Sequence, residues 1–193
     1  GIPPLLRDNK VYSSSQDKCN IFNDTFTRKS KLPDDKPTLP ALQVRTDQRL
    51  DSINTTEDEV KKILTNLDIS KASGPDGISQ KLLKCAASAI SKPLTSLFNR
   101  SLDTGIFPSQ WKKAHVSPVH KKNDKQDDGN YRPISLLSCV GKILERIVFM
   151  KLYDFCMTNN LLTWRNSGYK HQDSTINQLI YICHQIYDAL ANG

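Results

Sequence analysis

Lys121, Lys122, Lys125 and Arg132 crowd four cations into the stretch 121–132. A guanidinium beside one or two ammonium groups is a donor set suited to a triphosphate, pairing a planar fork with a mobile point charge. Ala114–Lys121 and Tyr131–Leu137 are β-prone and flank the polar turn Asn123–Asn130. An antiparallel hairpin over them would bring Lys121 or Lys122 up to Arg132. The charged tip of an ordinary hairpin has the same spacing, and spacing alone favours that plainer reading. A second candidate is Gly74-Pro75-Asp76-Gly77. Its proline fixes one φ and two of its residues tolerate positive values, so backbone N–H groups could face a phosphate. As a lone motif it reads first as a plain turn.

Other combinations fail on geometry. Asp34-Asp35 and Asp127-Asp128 are paired carboxylates in polar loops among lysines, whereas a two-metal site needs carboxylates on rigid elements aimed inward. His115 and His120, five apart in a strand, face opposite ways and make a poor metal pair. His171, Asp173 and Ser174 are too close in sequence for a hydrolase triad. There is no P-loop and no dinucleotide fingerprint. No catalytic residue and no metal ligand emerges.

The elements that must position the hairpin follow from periodicity. Thr56-Glu57-Asp58-Glu59 is a capping box, with Val60, Ile63, Leu64 and Leu67 following at helical spacing. Helices are expected over Gln80–Ala89 and Lys92–Leu102, with Pro93 in the first turn of the latter, Gly105 ending the pair and Pro108 beyond it. Pro118 and Pro133 confine the hairpin to an edge or bulged position. Val140, Ile143, Leu144, Ile147, Leu152 and Phe155 mark a long helix after it. Ile176, Leu179, Ile180, Cys183, Ile186, Tyr187 and Leu190 mark a last one. Residues 1–50 hold half of the ten prolines and read as an extension, with a short helix over Ser14–Thr27 and a linker over Leu32–Leu42. The folded part is expected to begin near Asp51 and occupy 51–193. The fold class is α+β, mostly helical, with one basic hairpin.

Composition narrows the function. The 193 residues carry a net charge of +7, and the stretch 111–151 holds nine cations against four carboxylates, as expected where a surface meets polyanions. No stretch approaches the ~18 apolar residues a membrane span needs, and Gly1–Arg7 has no signal-peptide core. Without an initiator Met, the chain reads as a piece of something longer. Five cysteines, an odd number without a C-x-x-C pair, read as reduced, buried thiols of an intracellular protein in the cytoplasm or nucleus, not a secreted one.

Taken in order, several motifs go further. Lys71-Ala72-Ser73-Gly74-Pro75-Asp76-Gly77-Ile78-Ser79 comes first, then Phe107-Pro108-Ser109-Gln110-Trp111-Lys112, then Pro118-Val119-His120-Lys121-Lys122. Asn130-Tyr131-Arg132-Pro133-Ile134-Ser135-Leu136-Leu137-Ser138 and Gly141-Lys142-Ile143-Leu144-Glu145-Arg146 follow. Together they resemble the reverse-transcriptase domain of non-LTR (LINE-type) retrotransposons over roughly Thr55–Leu190. Ser167-Gly168-Tyr169, Ser174-Thr175 and Gln178-Leu179 continue the likeness, and Cys19–Thr27 resembles the segment joining the family's endonuclease to its polymerase. Asn166, Lys170 and Asp173 depart from it, standing where the family usually has Gln, Arg and His.

The resemblance implies the fingers and the start of the palm of a right-hand RNA-directed DNA polymerase. It implies nucleotide contacts from Lys121, Lys122 and Arg132, and template contacts from Gly74, Pro75, Asp76, Gly77, Lys112, Lys113 and Lys125. The partners would be an RNA template, an RNA–DNA or DNA primer duplex, dNTP, and the remaining palm and thumb. The family's catalytic aspartates, which hold Mg²⁺ in the complete polymerase, lie on strands after the last helix of this sequence. The chain is thus expected to hold no cofactor and to be inactive by itself. The alternative is a non-enzymatic basic nucleic-acid-binding module, or a structural remnant, derived from a retroelement.

Overall fold

The computed structural model describes residues 1–31, 44, 46–163, 167–168, 170 and 172–191. The linker expected over Leu32–Leu42 lies outside the described residues, as do Asn166, Tyr169 and His171. The chain divides into two compact units, Gly1–Leu42 with Ser52–Val148, and Gln43–Asp51 with Phe149–Gly193.

Order starts well before Asp51. Strands β1 (Leu5–Arg7) and β2 (Lys10–Tyr12) pair antiparallel around Asp8-Asn9. Both turn residues have positive φ, 50° and 59°, which a two-residue type I′ hairpin turn requires and Asp and Asn tolerate. Helix α1 (Ser15–Ser30) follows, capped by the Ser14 hydroxyl, which accepts from the Asp17 N–H. It matches the helix expected over Ser14–Thr27, with Ser14 as its cap, and runs about one turn further.

The helical part of this unit is α2 (Glu57–Thr65), α3 (Gln80–Cys85), α4 (Ala87–Thr104) and the start of α5 (Cys139–Thr158). The Thr56–Glu59 capping box is formed in both directions. Val60, Ile63 and Leu64 of α2 join Leu83, Ala87, Phe98, Cys139, Val140, Ile143, Leu144 and Ile147 in one buried cluster. Asn99 clasps the chain ahead of α2, accepting from the Thr55 N–H and donating to its carbonyl, each at 2.9 Å. The two helices expected near here divide differently: α4 starts at Ala87, so Pro93 lies inside it. The local loss of one N–H is tolerated because Phe98 and Ala87, on either side of Pro93, are anchored in the core. Gly105, with φ 66°, ends α4 in the left-handed region.

Strands β3 (Ala114–His120) and β4 (Tyr131–Leu137) form the expected hairpin as a two-stranded antiparallel ribbon. Its register places Pro118 opposite Pro133 and Val119 opposite Arg132. The Lys121 N–H donates to the Asn130 carbonyl at 2.9 Å, and alternation from that bonded pair makes Pro118–Pro133 a non-bonded one. Neither proline removes a bond between the strands, and both block pairing with a further strand.

In the second unit, α6 (Thr175–Ala191) has no buried residue. Its apolar side chains Ile176, Leu179, Ile186, Tyr187 and Leu190 are all exposed. With antiparallel strand pairs beside six α-helices among the described residues, the protein is α+β, as the sequence suggested.

Candidate nucleic-acid interface

Alternation along the ribbon sorts its side chains into two faces. One face carries Val116, Pro118, Tyr131, Pro133 and Ser135, and is turned to α1. Tyr131 is buried with Leu5, Ile21 and Phe22, its ring meeting Phe22 edge-on at 4.9 Å and His120 at 5.3 Å. Its hydroxyl donates to the Lys125 carbonyl at 2.8 Å. Burial, aided by the charge of Asp124, raises the Tyr131 pKa above its ordinary value. Beyond Tyr131 the two elements diverge around a cleft of about 840 Å³ lined by Cys19, Phe22 and Phe26 of α1 and by Val116, Pro118, Pro133 and Ser135 of the ribbon.

The other face carries Ser117, Val119, Lys121, Arg132 and Ile134. Arg132 sits opposite Val119, and Lys121 is diagonal to it on the same side. Both are exposed. Lys122 and Lys125 follow in the exposed tip. Among the described residues none of these four cations, nor Lys112 or Lys113, forms a salt bridge, unlike Arg7 with Asp24 and Asp128 or Lys71 with Asp68. The outer face therefore presents Lys121 and Arg132 with no carboxylate among the described residues within ion-pair distance.

The remaining candidates gather at the other end of the ribbon. Lys112 closes a 3₁₀ turn over Ser109–Lys112 and Lys113 leads into β3. Gly74 packs against the end of β4, where an added Cβ would lie 2.6 Å from the Leu137 carbonyl carbon and the Ser138 nitrogen. The Gly77 N–H donates to the Gly74 carbonyl at 3.1 Å, and the Ile78 N–H donates to the Asp76 carboxylate at 3.1 Å. Those two N–H groups are already used within the loop, which is closed as a turn with Gly74 buried and Pro75, Asp76 and Gly77 exposed. Six residue steps of about 3.3 Å separate the two ends of a seven-residue strand, so Lys121 and Arg132 stand some 20 Å from the Gly74–Gly77 loop.

Asp128, expected with Asp127 in a polar loop, differs from that expectation in its surroundings. It is buried, accepting from Arg7 at 3.0 Å and from the Thr25 hydroxyl, while Arg7 also donates to Asp24 at 2.8 Å. Burial by itself would lower the Arg7 pKa, and the charges of Asp128 and Asp24 reverse this and raise it. The available signal was the alternation of Leu5–Arg7 and Lys10–Tyr12 about Asp8-Asn9, which announces a hairpin in the supposed extension. His115 and His120 lie on opposite faces, as expected; the His120 ring nitrogen is 3.1 Å from the Asn123 carbonyl. Among the described residues no group of three His, Cys, Asp or Glu side chains could hold a metal ion. Nor is any helix among them long and apolar enough to cross a membrane. The cysteines are not all buried as expected: Cys139 is, whereas Cys19, Cys85 and Cys183 lie exposed on helix surfaces.

No family model matches the sequence. Individual relatives do. An RNA-directed DNA polymerase from the mobile element jockey of Drosophila melanogaster is 30% identical over 138 residues, 71% of this chain. A probable RNA-directed DNA polymerase from transposon BS of the same species is 28% identical over 153 residues, 79% of this chain. The chain belongs to the reverse-transcriptase family of non-LTR retrotransposons. A jockey polymerase from Drosophila funebris extends the likeness to 92% of the chain at 25% identity. This reverse-transcriptase relative spans 15%, 17% and 20% of the length of those three proteins, respectively.

Proposed function

We propose that this chain forms the fingers and the start of the palm of an RNA-directed DNA polymerase, and that the outer face of the β3–β4 ribbon contacts the incoming dNTP. The observation that carries the reading is the placement of Arg132 and Lys121 on one exposed face, without a carboxylate partner among the described residues, in a member of this family. A planar fork next to a mobile ammonium matches a triphosphate. Lys122 lies beside them at the tip. Lys112, Lys113 and Lys125, with Gly74, Pro75, Asp76 and Gly77, would then track the RNA template and the RNA–DNA or DNA primer duplex. The catalytic carboxylates that hold Mg²⁺ in a complete polymerase are not supplied by these residues, so this stretch binds and orients while the remaining palm and thumb do the chemistry.

A photoreactive deoxynucleotide, bound with an RNA–DNA hybrid to a polymerase containing these residues, tests this. Adducts are expected within Ala114–Leu137. Adducts confined to other segments would reject the assignment. The alternative, a basic nucleic-acid-binding module or remnant without enzymatic function, predicts hybrid binding with no deoxynucleotide adduct at all.

A further inference from the structure

We infer that Arg7 is a positioning residue for the outer face of the ribbon, and that residues 1–30 act as its brace. Five contacts join this segment to the ribbon tip. The Leu6 N–H donates to the Gln126 carbonyl at 2.9 Å. Arg7 and Thr25 both bond Asp128. The Lys29 ammonium donates to the Gly129 carbonyl at 3.1 Å. Phe22 holds the Tyr131 ring. These contacts fall on residues 126–131, directly before Arg132, and Tyr131 lies on the ribbon face opposite to it.

A two-stranded ribbon has no neighbouring strand to stiffen it, so the direction in which Arg132 points is set by what grips its other face. Arg7 is the junction of that grip. Its guanidinium bridges Asp24 and Thr25 on α1 to Asp128 in the tip. Removing it leaves the Asp128 carboxylate buried with only a hydroxyl for a partner, which low-dielectric surroundings penalise strongly. The tip would swing out to hydrate that carboxylate and carry Arg132 with it.

This inference rests on the outer face being the nucleotide-contacting one, and the test separates the two. The probe is inorganic tripolyphosphate, titrated onto the 193-residue chain, with amide hydrogen exchange followed in parallel. Arg7→Met should raise exchange of the Lys121 amide about tenfold or more while amides in α2 and α4 stay protected, and should weaken tripolyphosphate binding several-fold. Arg7→Lys, which keeps the charge and loses the fork, should restore part of both and guards against a fold too damaged to read. Wild-type binding in both Arg7 variants, whatever their exchange, would overturn the inference. The reading beneath it is tested separately by Arg132→Ala: if that variant binds tripolyphosphate as wild type does, the outer face is not a triphosphate site. If Arg132→Ala loses binding and the Arg7 variants do not, only the brace is wrong.

Discussion

Gly74 approaches Ser138 so closely that a Cβ added to the glycine would sit 2.6 Å from the Ser138 backbone nitrogen. This contact joins two motifs that are 60-odd residues apart in sequence, the Gly-Pro-Asp-Gly turn and the end of the Asn130–Ser138 run. Cys139, next in line, points its thiol at the Ala72 carbonyl at 3.9 Å and is buried in the helical core. The turn is thus a wedge between β4 and the start of α5.

Gly74→Ala should therefore destabilise the chain out of proportion to its size. The methyl meets backbone atoms, which cannot rotate aside, and overpacking of this kind costs about 1–3 kcal/mol or more. Gly77→Ala supplies the comparison: no atom lies within 4 Å of its added Cβ, but its φ of 69° strains a side chain, costing roughly 1 kcal/mol. Thermal melts should order the two, with Gly74→Ala the lower. Equal melting temperatures would show that β4 shifts freely.

Alkaline titration should expose Tyr131. Its pKa is raised by burial and by Asp124 above the ordinary value of 10.0. In the unfolded chain the phenol ionises first, so the unfolded state binds fewer protons and stability falls as pH climbs past about 10. Below that value both states keep the proton and Tyr131 adds no slope. Tyr131→Phe should flatten this part of the pH dependence while losing the bond to Lys125, so the variant should be less stable at pH 8 and less sensitive between pH 9 and 11. Identical slopes in the two proteins would place the alkaline transition elsewhere.

What the sequence revealed depended on whether a feature was local. The Thr56 capping box, the Gly105 terminator and the β-prone runs Ala114–Lys121 and Tyr131–Leu137 are each local features, and all were legible. The Arg7–Asp128 bond spans 121 positions, and no local rule pairs them. Pro93 misled because a proline in a helical pattern signals a first turn, whereas core burial on both sides of it holds α4 continuous. The candidate site was half legible: alternation puts Lys121 and Arg132 on one side of a strand pair, but only the register shows that Lys112, Lys113 and the Gly74 turn lie at the far end. Gly141 makes the same point, since its Cβ would lie 2.9 Å from the Trp111 Cβ, a packing constraint invisible in either motif by itself.

Binding of an RNA–DNA hybrid to the isolated chain should be steeply salt-dependent and show little sequence preference. Each phosphate contact releases counterions, so six to ten contacts would lower affinity about 10³–10⁵-fold between 50 and 200 mM salt. Replacing Lys112, Lys113, Lys121, Lys122 and Lys125 together by Gln should reduce both the affinity and the slope. A slope unchanged by that replacement would move the interface off the ribbon.

Arg132→Ala gives the sharpest test, in a polymerase-competent chain that carries these residues. If Arg132 donates to the triphosphate, its loss removes a charge-assisted bond of about 1.5–3 kcal/mol. Deoxynucleotide kcat/KM should then drop roughly ten- to a hundred-fold, while primer–template affinity hardly changes. Arg132→Lys should recover only part, because an ammonium cannot reproduce two parallel bonds from a planar fork. Lys121→Ala should weaken the same parameter by less, since the ammonium adds a point charge without the fork. The double variant should fall short of additivity if both side chains hold one triphosphate. Should Arg132→Ala instead loosen template binding and leave the nucleotide KM alone, the outer face is a template clamp, and the Val119 and Ile134 side chains flanking Arg132 would be packing against the template strand.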